Sequence, residues 1–175
     1  MVTAAPLVAI IGVGNVYRHD DGAGPAVVER LRARAADRPL PPRTRLSVCD
    51  GDPARLIGLW EGTGRTVVID AVFTGPAGTP GRIRRLEPDG DTWPAGAPSV
   101  HSTHGLGLVE AVELARGLGR MPPCLVVYAV EGVDSSLGEG LSEPVAAAVE
   151  SLAEKVEAEC AHDRSAAARR PRPAS

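Results

Sequence analysis

Hydrophobic residues in this chain gather in short runs separated by polar, glycine-rich or proline-rich stretches, and the runs alternate between two periods. Leu7–Val13 (LVAIIGV) is continuously apolar and β-branched, the pattern of a strand buried on both faces of a parallel sheet. After a polar loop, Pro25–Ala36 places Val27, Val28 and Leu31 at helical spacing, with a proline near its start where the missing N–H costs nothing. Beyond the link RPLPPR, Arg45–Cys49 reads as a short strand closing on Asp50-Gly51-Asp52-Pro53, Ala54–Trp60 as a short helix, and Thr66–Phe73 (TVVIDAVF) as a third strand. The interval before Gly81–Glu87 (GRIRRLE) is too short for a crossover helix, so an antiparallel edge strand is expected there, and its arginines suit an edge.

Pro88–Pro98 is a loop rich in Pro, Gly and Asp, of the kind that is often functional in a compact domain. Thr103–Leu118 turns helical, with Leu106, Val109, Val112 and Leu114 as its apolar face. Cys124–Val130 (CLVVYAV) is the last strand, followed by the acidic, glycine-rich loop EGVDSSLGEG. Ser142-Glu143-Pro144 then opens a helix to about Cys160, with Ser142 as N-cap. This alternation predicts an α/β fold, a three-layer sandwich with a mainly parallel, twisted sheet of about five strands, one antiparallel edge strand and helices on both faces. A single domain over residues 1–161 is expected, with 162–175 as a basic, disordered tail.

Composition narrows the function classes. The 175 residues are 43% hydrophobic, enough for one domain with a real core. The longest apolar runs, Ala5–Val13 and Pro122–Val130, fall well short of the ~18 residues of a spanning helix, so a soluble, unexported protein is expected, with no membrane partner. Three cysteines, Cys49, Cys124 and Cys160, form neither an even set nor metal-type spacing, which points to a reducing, cytoplasmic setting. The net charge of −3 combines a body of −6 with a last stretch of +3, carried by Asp163 and four arginines. An acidic body does not suggest nucleic-acid binding, which draws on clustered positive charge.

In open α/β sheets ligands bind beyond the carboxyl ends of the strands. After the first strand comes Gly12-Val13-Gly14-Asn15-Val16-Tyr17-Arg18-His19-Asp20-Asp21-Gly22-Ala23-Gly24, with a tight glycine turn, an amide and paired carboxylates. Asp70 stands in an otherwise apolar strand, where a carboxylate is costly unless it is paired or bound to a cation. His101-Ser102-Thr103-His104-Gly105 precedes a helix. Each feature has a plainer reading: Asp20 or Asp21 as a helix cap, Asp70 as a hydrogen-bonded structural acid, the histidines as surface or packing residues. Gly12-x-Gly14 also resembles the start of a dinucleotide fingerprint, but Tyr17 fills the place of the third glycine.

Taken together, GVGNVYRHDDGAGPAVVERL, VVIDAV and HSTHGLGL, in this order and spacing, resemble the hydrogenase maturation endopeptidases over about residues 7–160. The resemblance implies an α/β protease that removes a C-terminal extension from the precursor of a nickel–iron hydrogenase large subunit once nickel has been delivered. It places the family's metal-binding and catalytic set at Asp21, Asp70 and His104. The first ligand is often Glu in this family, DGDP replaces a more usual DGG-Thr pattern, and Thr103 stands where Pro is common; none of these departures removes a ligand.

Two carboxylates and one imidazole suit a borderline divalent cation and leave coordination positions open. They lack the four ligands of a closed zinc site. The resemblance implies nickel carried by the substrate, so the resting enzyme can be free of metal. Asn15, Asp20, Gly12, Gly14 and Gly22 are expected to shape a substrate-binding loop, the glycines by admitting close backbone approach. Cleavage is open to two routes, polarisation of the scissile carbonyl by the metal or a carboxylate general base, with Asp20 and Asp21 a conceivable acid/base pair. No HExxH helix or GxSxG elbow is present. The Gly81–Glu87 edge is a candidate site for strand addition by the precursor's tail. The alternative function is a nickel-binding chaperone or regulator without hydrolysis; the oligomeric state is not legible.

Overall fold

The computed structural model describes residues 7–88 and 105–168. In chain order the elements are β1 (Val8–Val13), α1 (Ala23–Arg34), β2 (Thr44–Cys49), α2 (Pro53–Trp60), β3 (Arg65–Val72), β4 (Ile83–Leu86), α3 (Gly105–Gly117), β5 (Leu125–Glu131) and α4 (Glu143–Ala168), with short 3-10 turns at His19–Gly22 and Gly75–Ala77. The sheet order is β2-β1-β3-β5-β4. β1 runs parallel to β2 and β3, β3 runs parallel to β5, and β4 closes the far edge antiparallel to β5.

Strands β1, β3 and β5 are buried along nearly their whole length because helices cover both faces. Side chains alternate across the sheet, and the alternation sorts the core in two. Ile10, Val67, Ile69 and Val126 face α1 and α4, where they meet Val27, Leu31, Leu152 and Val156. Ala9, Ile11, Val68 and Val127 face α2 and α3, where they meet Leu56, Trp60, Leu108 and Val112. On the first side, α1 and α4 are also tied by Arg34, whose guanidinium donates to both carboxylate oxygens of Glu157 at 2.7 and 2.8 Å. The predicted three-layer sandwich is therefore the observed architecture.

The arginine-rich segment is the antiparallel edge strand expected, and it pairs with β5, so β3 keeps a parallel neighbour on each side. Two further details lie beyond the sequence reading. α1 begins at Ala23, two residues ahead of Pro25, because the 3-10 turn His19–Gly22 runs straight into it. The last helix runs from Glu143 to Ala168, past the Cys160 end expected for it. Most of the Pro88–Pro98 loop, His101, His104 and the end of the basic tail lie outside the described residues. Among the described residues no helix is long and apolar enough to cross a membrane.

Candidate active site

The carboxyl ends of β1 and β3 meet the first turn of α1 at very close range. A Cβ on Gly24 would lie 2.4 Å from the Val13 carbonyl oxygen and 2.6 Å from that of Ile69, and one on Gly12 would lie 2.4 Å from the Gly24 carbonyl oxygen. Gly14, at φ +136°, crosses so near the next turn that a Cβ there would fall 1.8 Å from the Asp21 carbonyl oxygen. These glycines, expected to admit a substrate backbone, instead admit the protein's own: Gly12 and Gly24 let helix and sheet touch, and Gly14 lets the loop fold onto Asp21. Gly22 is the looser case, with the Val16 Cα 3.2 Å from its would-be Cβ.

That loop aims the two adjacent aspartates in different directions. Asp20 is fully buried and spends both carboxylate oxygens on the loop after β5: it accepts from the Val133 N–H at 2.9 Å, the Asp134 N–H at 3.1 Å, the Ser142 N–H at 2.7 Å and the Ser142 hydroxyl at 2.9 Å. Asp20 is thus a structural clamp, with both oxygens turned to that loop. Ser142 correspondingly turns its hydroxyl to Asp20. Asp21, equally buried, accepts from the Asn15 N–H at 2.9 Å. Asn15 in turn accepts the Tyr17 N–H on its side-chain oxygen at 2.9 Å, closing a turn that fixes the loop, so its carbonyl is used inside the protein.

Asp70 lies level with Ala129 of β5, and strand alternation sets it with Val68 toward the α2 and α3 side. It is 2% exposed, and among the described residues its Oδ1 accepts no hydrogen bond. Burial, and after it the neighbouring Asp21 charge, push its carboxyl up to about 8, with only the Ala71 N–H pulling the other way. Two carboxylates held together away from water repel each other unless a proton or cation lies between them. The helix that follows the HSTH segment comes to the same edge: a Cβ on Gly107 of α3 would lie 2.1 Å from the carbonyl oxygen of Gly51, just beyond β2. The structure therefore brings Asp21 and Asp70 together. His104, the third member expected, precedes α3 in sequence and lies outside the described residues. Among the described residues no third His, Cys, Asp or Glu completes a metal-holding group.

Other groups at this edge are accounted for by the fold. Cys49, at the end of β2, is buried and points its thiol toward Asp50 Oδ1 at 3.7 Å; burial pushes the thiol up, which makes it a poor nucleophile. Asp52 caps α2 by accepting the Arg55 N–H at 2.8 Å. Glu131, a buried carboxylate at the end of β5 that sequence reading placed in a loop, is the acid missed there. Against the upward push of burial, the Thr79 N–H and the Arg84 guanidinium hold it below the usual range, so it serves to pin β4. Its signal in the sequence was the acid abutting the apolar run, together with the arginines of the edge strand.

The hydrogenase maturation protease family model matches residues 25–159, a span that includes Asp70 and His104 and begins after Asp21. The hydrogenase expression/formation protein HupD of Bradyrhizobium diazoefficiens is 30% identical over 141 residues, covering 79% of this chain and 69% of that protein. The hydrogenase maturating endopeptidase HybD of E. coli superposes with a TM-score of 0.66 at 24% identity, over 86% of this chain and 89% of that one. The [NiFe] hydrogenase maturation protease HybD of Thermococcus kodakarensis gives 0.65 at 22% identity, over 88% and 99%. At these identities the two structures speak for the fold.

Proposed function

Because the chain belongs to the hydrogenase maturation protease family and is thereby a peptidase, we propose that it removes the C-terminal extension of a nickel-loaded hydrogenase large-subunit precursor. Asp21, Asp70 and His104 contact the nickel that the precursor carries, and the resting enzyme needs no metal of its own. The observation that carries this reading is Asp70: a buried carboxylate with an oxygen that no described group satisfies, within electrostatic reach of a second buried carboxylate, Asp21. Such a pair is unfavourable when both members are charged and empty-handed, and favourable around a divalent cation. An O,O,N set leaves coordination positions for ligands supplied by the precursor.

In this reading the chain's own groups mainly bind and orient. Near neutral pH, Asp70 holds a proton until a cation takes its place, since its carboxyl is pushed up to about 8. Asn15 fixes Asp21 through the backbone hydrogen bond described above. α3, which begins at Gly105 next in sequence to His104, packs on Gly51 through Gly107. Nickel held by the precursor supplies a Lewis acid beside the scissile region. The enzyme acts in the cytoplasm, a setting that the odd number of cysteines favours.

The test is intact-mass spectrometry of a nickel-loaded precursor incubated with the wild-type protein, Asp70→Asn or His104→Ala. Loss of the extension with wild type alone supports the reading. Cleavage by both variants at the wild-type rate removes Asp70 and His104 from the site. A nickel-loaded precursor that forms a complex yet keeps its mass assigns the chain a binding or chaperone role instead.

A further inference from the structure

Most protein surfaces scatter their exposed apolar side chains singly. Here Val16, Tyr17, Val133 and Leu137 stand together on the two loops that border Asp21, and Tyr17, Val133 and Leu137 are 62%, 62% and 80% exposed. The loops are joined backbone to backbone. The Gly138 N–H donates to the Tyr17 carbonyl at 2.9 Å, the His19 N–H to the Gly138 carbonyl at 2.9 Å, and the Asp20 N–H to the Asp134 carbonyl at 3.0 Å. Leu137 is thereby set beside Tyr17. His19 adopts a left-handed φ of 46° to make this junction, and a Cβ on Gly138 would lie 2.2 Å from its ring. With the four bonds to Asp20 added, these side chains cannot fold back to bury themselves.

Beside the patch lies a cavity of about 200 Å3 between the same two loops and the first turns of α1, lined by Val16, His19, Pro25, Ala26, Glu29 and Leu141. The exposed charges of the two loops and of the start of α4 are Asp134, Glu139 and Glu143, all acidic, while Arg18, next to Tyr17, is half-buried. A rigid apolar patch with an adjoining pocket and an acidic rim has the anatomy of a preformed protein-binding surface.

We propose that this face is where the precursor docks before cleavage, through an apolar segment flanked by lysine or arginine, one aliphatic side chain of which enters the cavity. The inference rests on the peptidase reading above and adds the chemistry of the partner's contact. The acidic rim favours a basic-flanked segment over an acidic one, and Val16 and Tyr17 belong to the same loop as Asp21, which brings the docked segment to that loop.

Biolayer interferometry of immobilised nickel-loaded precursor against the full chain tests this. Tyr17→Ser/Leu137→Ser is expected to bind at least about tenfold more weakly than wild type, as truncation of buried aromatic and aliphatic anchors does. Leu114→Ser/Leu118→Ser, near the end of α3 and just beyond it, is expected to bind like wild type and controls for loss of apolar surface; Leu114, which its spacing put on the helix's apolar face, is 45% exposed. Wild-type binding should weaken as salt rises from roughly 0.05 to 0.5 M, and Asp134→Asn/Glu139→Gln should lose most of that dependence. Melting curves confirm that the variants fold. Unchanged affinity of the patch variant overturns the proposal, as does binding indifferent to salt. A wild-type dimer in sedimentation velocity that the patch variant abolishes also overturns it, by assigning the face to a second copy. If wild type cleaves the precursor and the patch variant binds normally, only this inference fails; if wild type neither binds nor cleaves, the peptidase reading fails with it.

Discussion

Replacing Asp70 with asparagine is expected to stabilise the metal-free protein, by a margin that grows with pH. The Asp70 carboxyl sits at about 8 in the folded chain against an ordinary 3.8, first through burial and then through the Asp21 charge. A folded value raised above the unfolded one means that the native state holds the proton more tightly. Unfolding then releases a proton between about pH 4 and pH 8, and stability falls as pH rises through that window. At ~1.36 kcal/mol per pKa unit, the ceiling on the loss is roughly 2 kcal/mol at pH 5 and roughly 5 kcal/mol at pH 8, and nearly flat above it. Asparagine removes the titration, and its amide can donate toward Asp21 where two carboxylates repelled. Allowing for water penetration and local relaxation, we expect a gain of about 2 kcal/mol or more at pH 8 and little at pH 5. Urea unfolding of both proteins in chelator from pH 5 to 8.5 measures the gap, and other ionisable groups cancel in the difference. A gap that stays flat with pH, or one that favours wild type at pH 8, refutes the claim that burial and the Asp21 charge hold the Asp70 carboxyl up in the metal-free protein.

Asp20→Ala strips four donors of their buried acceptor and is expected to cost about 3 kcal/mol or more, with hydrogen exchange speeding up over residues 133–142; ordinary stability with an unchanged exchange pattern contradicts the clamp. Gly24→Ala drives a methyl group into the Val13 and Ile69 carbonyls and is expected to cost at least about 3 kcal/mol. Gly58→Ala, mid-helix with nothing within 4 Å of its would-be Cβ, should instead gain about 0.5–1 kcal/mol; thermal melts separate the two, and equal shifts defeat the packing argument. Precursor stripped of nickel is expected to remain uncut by wild type in the mass assay, and cleavage of the stripped form at the loaded rate removes the metal from recognition.

Much of this protein was legible without coordinates. The β-branched runs at 7–13, 66–73 and 124–130 required buried parallel strands, because only a sheet covered on both faces hides such continuous apolar stretches. Asp70 stood out by the same logic, as a carboxylate inside one of those runs. The family resemblance set Asp21 apart from Asp20, but local sequence gives no physical reason for the difference. Neighbours on a 3-10 turn, they differ only in what faces them, and Asp20 is claimed by Ser142, 122 residues away. Nor could it tell that the motif's glycines serve internal contacts, since Gly12 and Gly24 matter as a pair that closes across helix and sheet. The pairing of Ile83–Leu86 with β5 likewise depended on where the last parallel strand would land.

The division follows from range. Propensity, periodicity and turn chemistry act over a few residues, so the chain's own pattern sets which segments become strands and helices and marks the unusual carboxylate. Which carboxylate holds a loop and which is left beside Asp70 is decided by groups that meet only when β1, β3 and the loop after β5 converge at one edge. There, burial and long-range hydrogen bonds outweigh any local preference, and only the tertiary structure records the outcome.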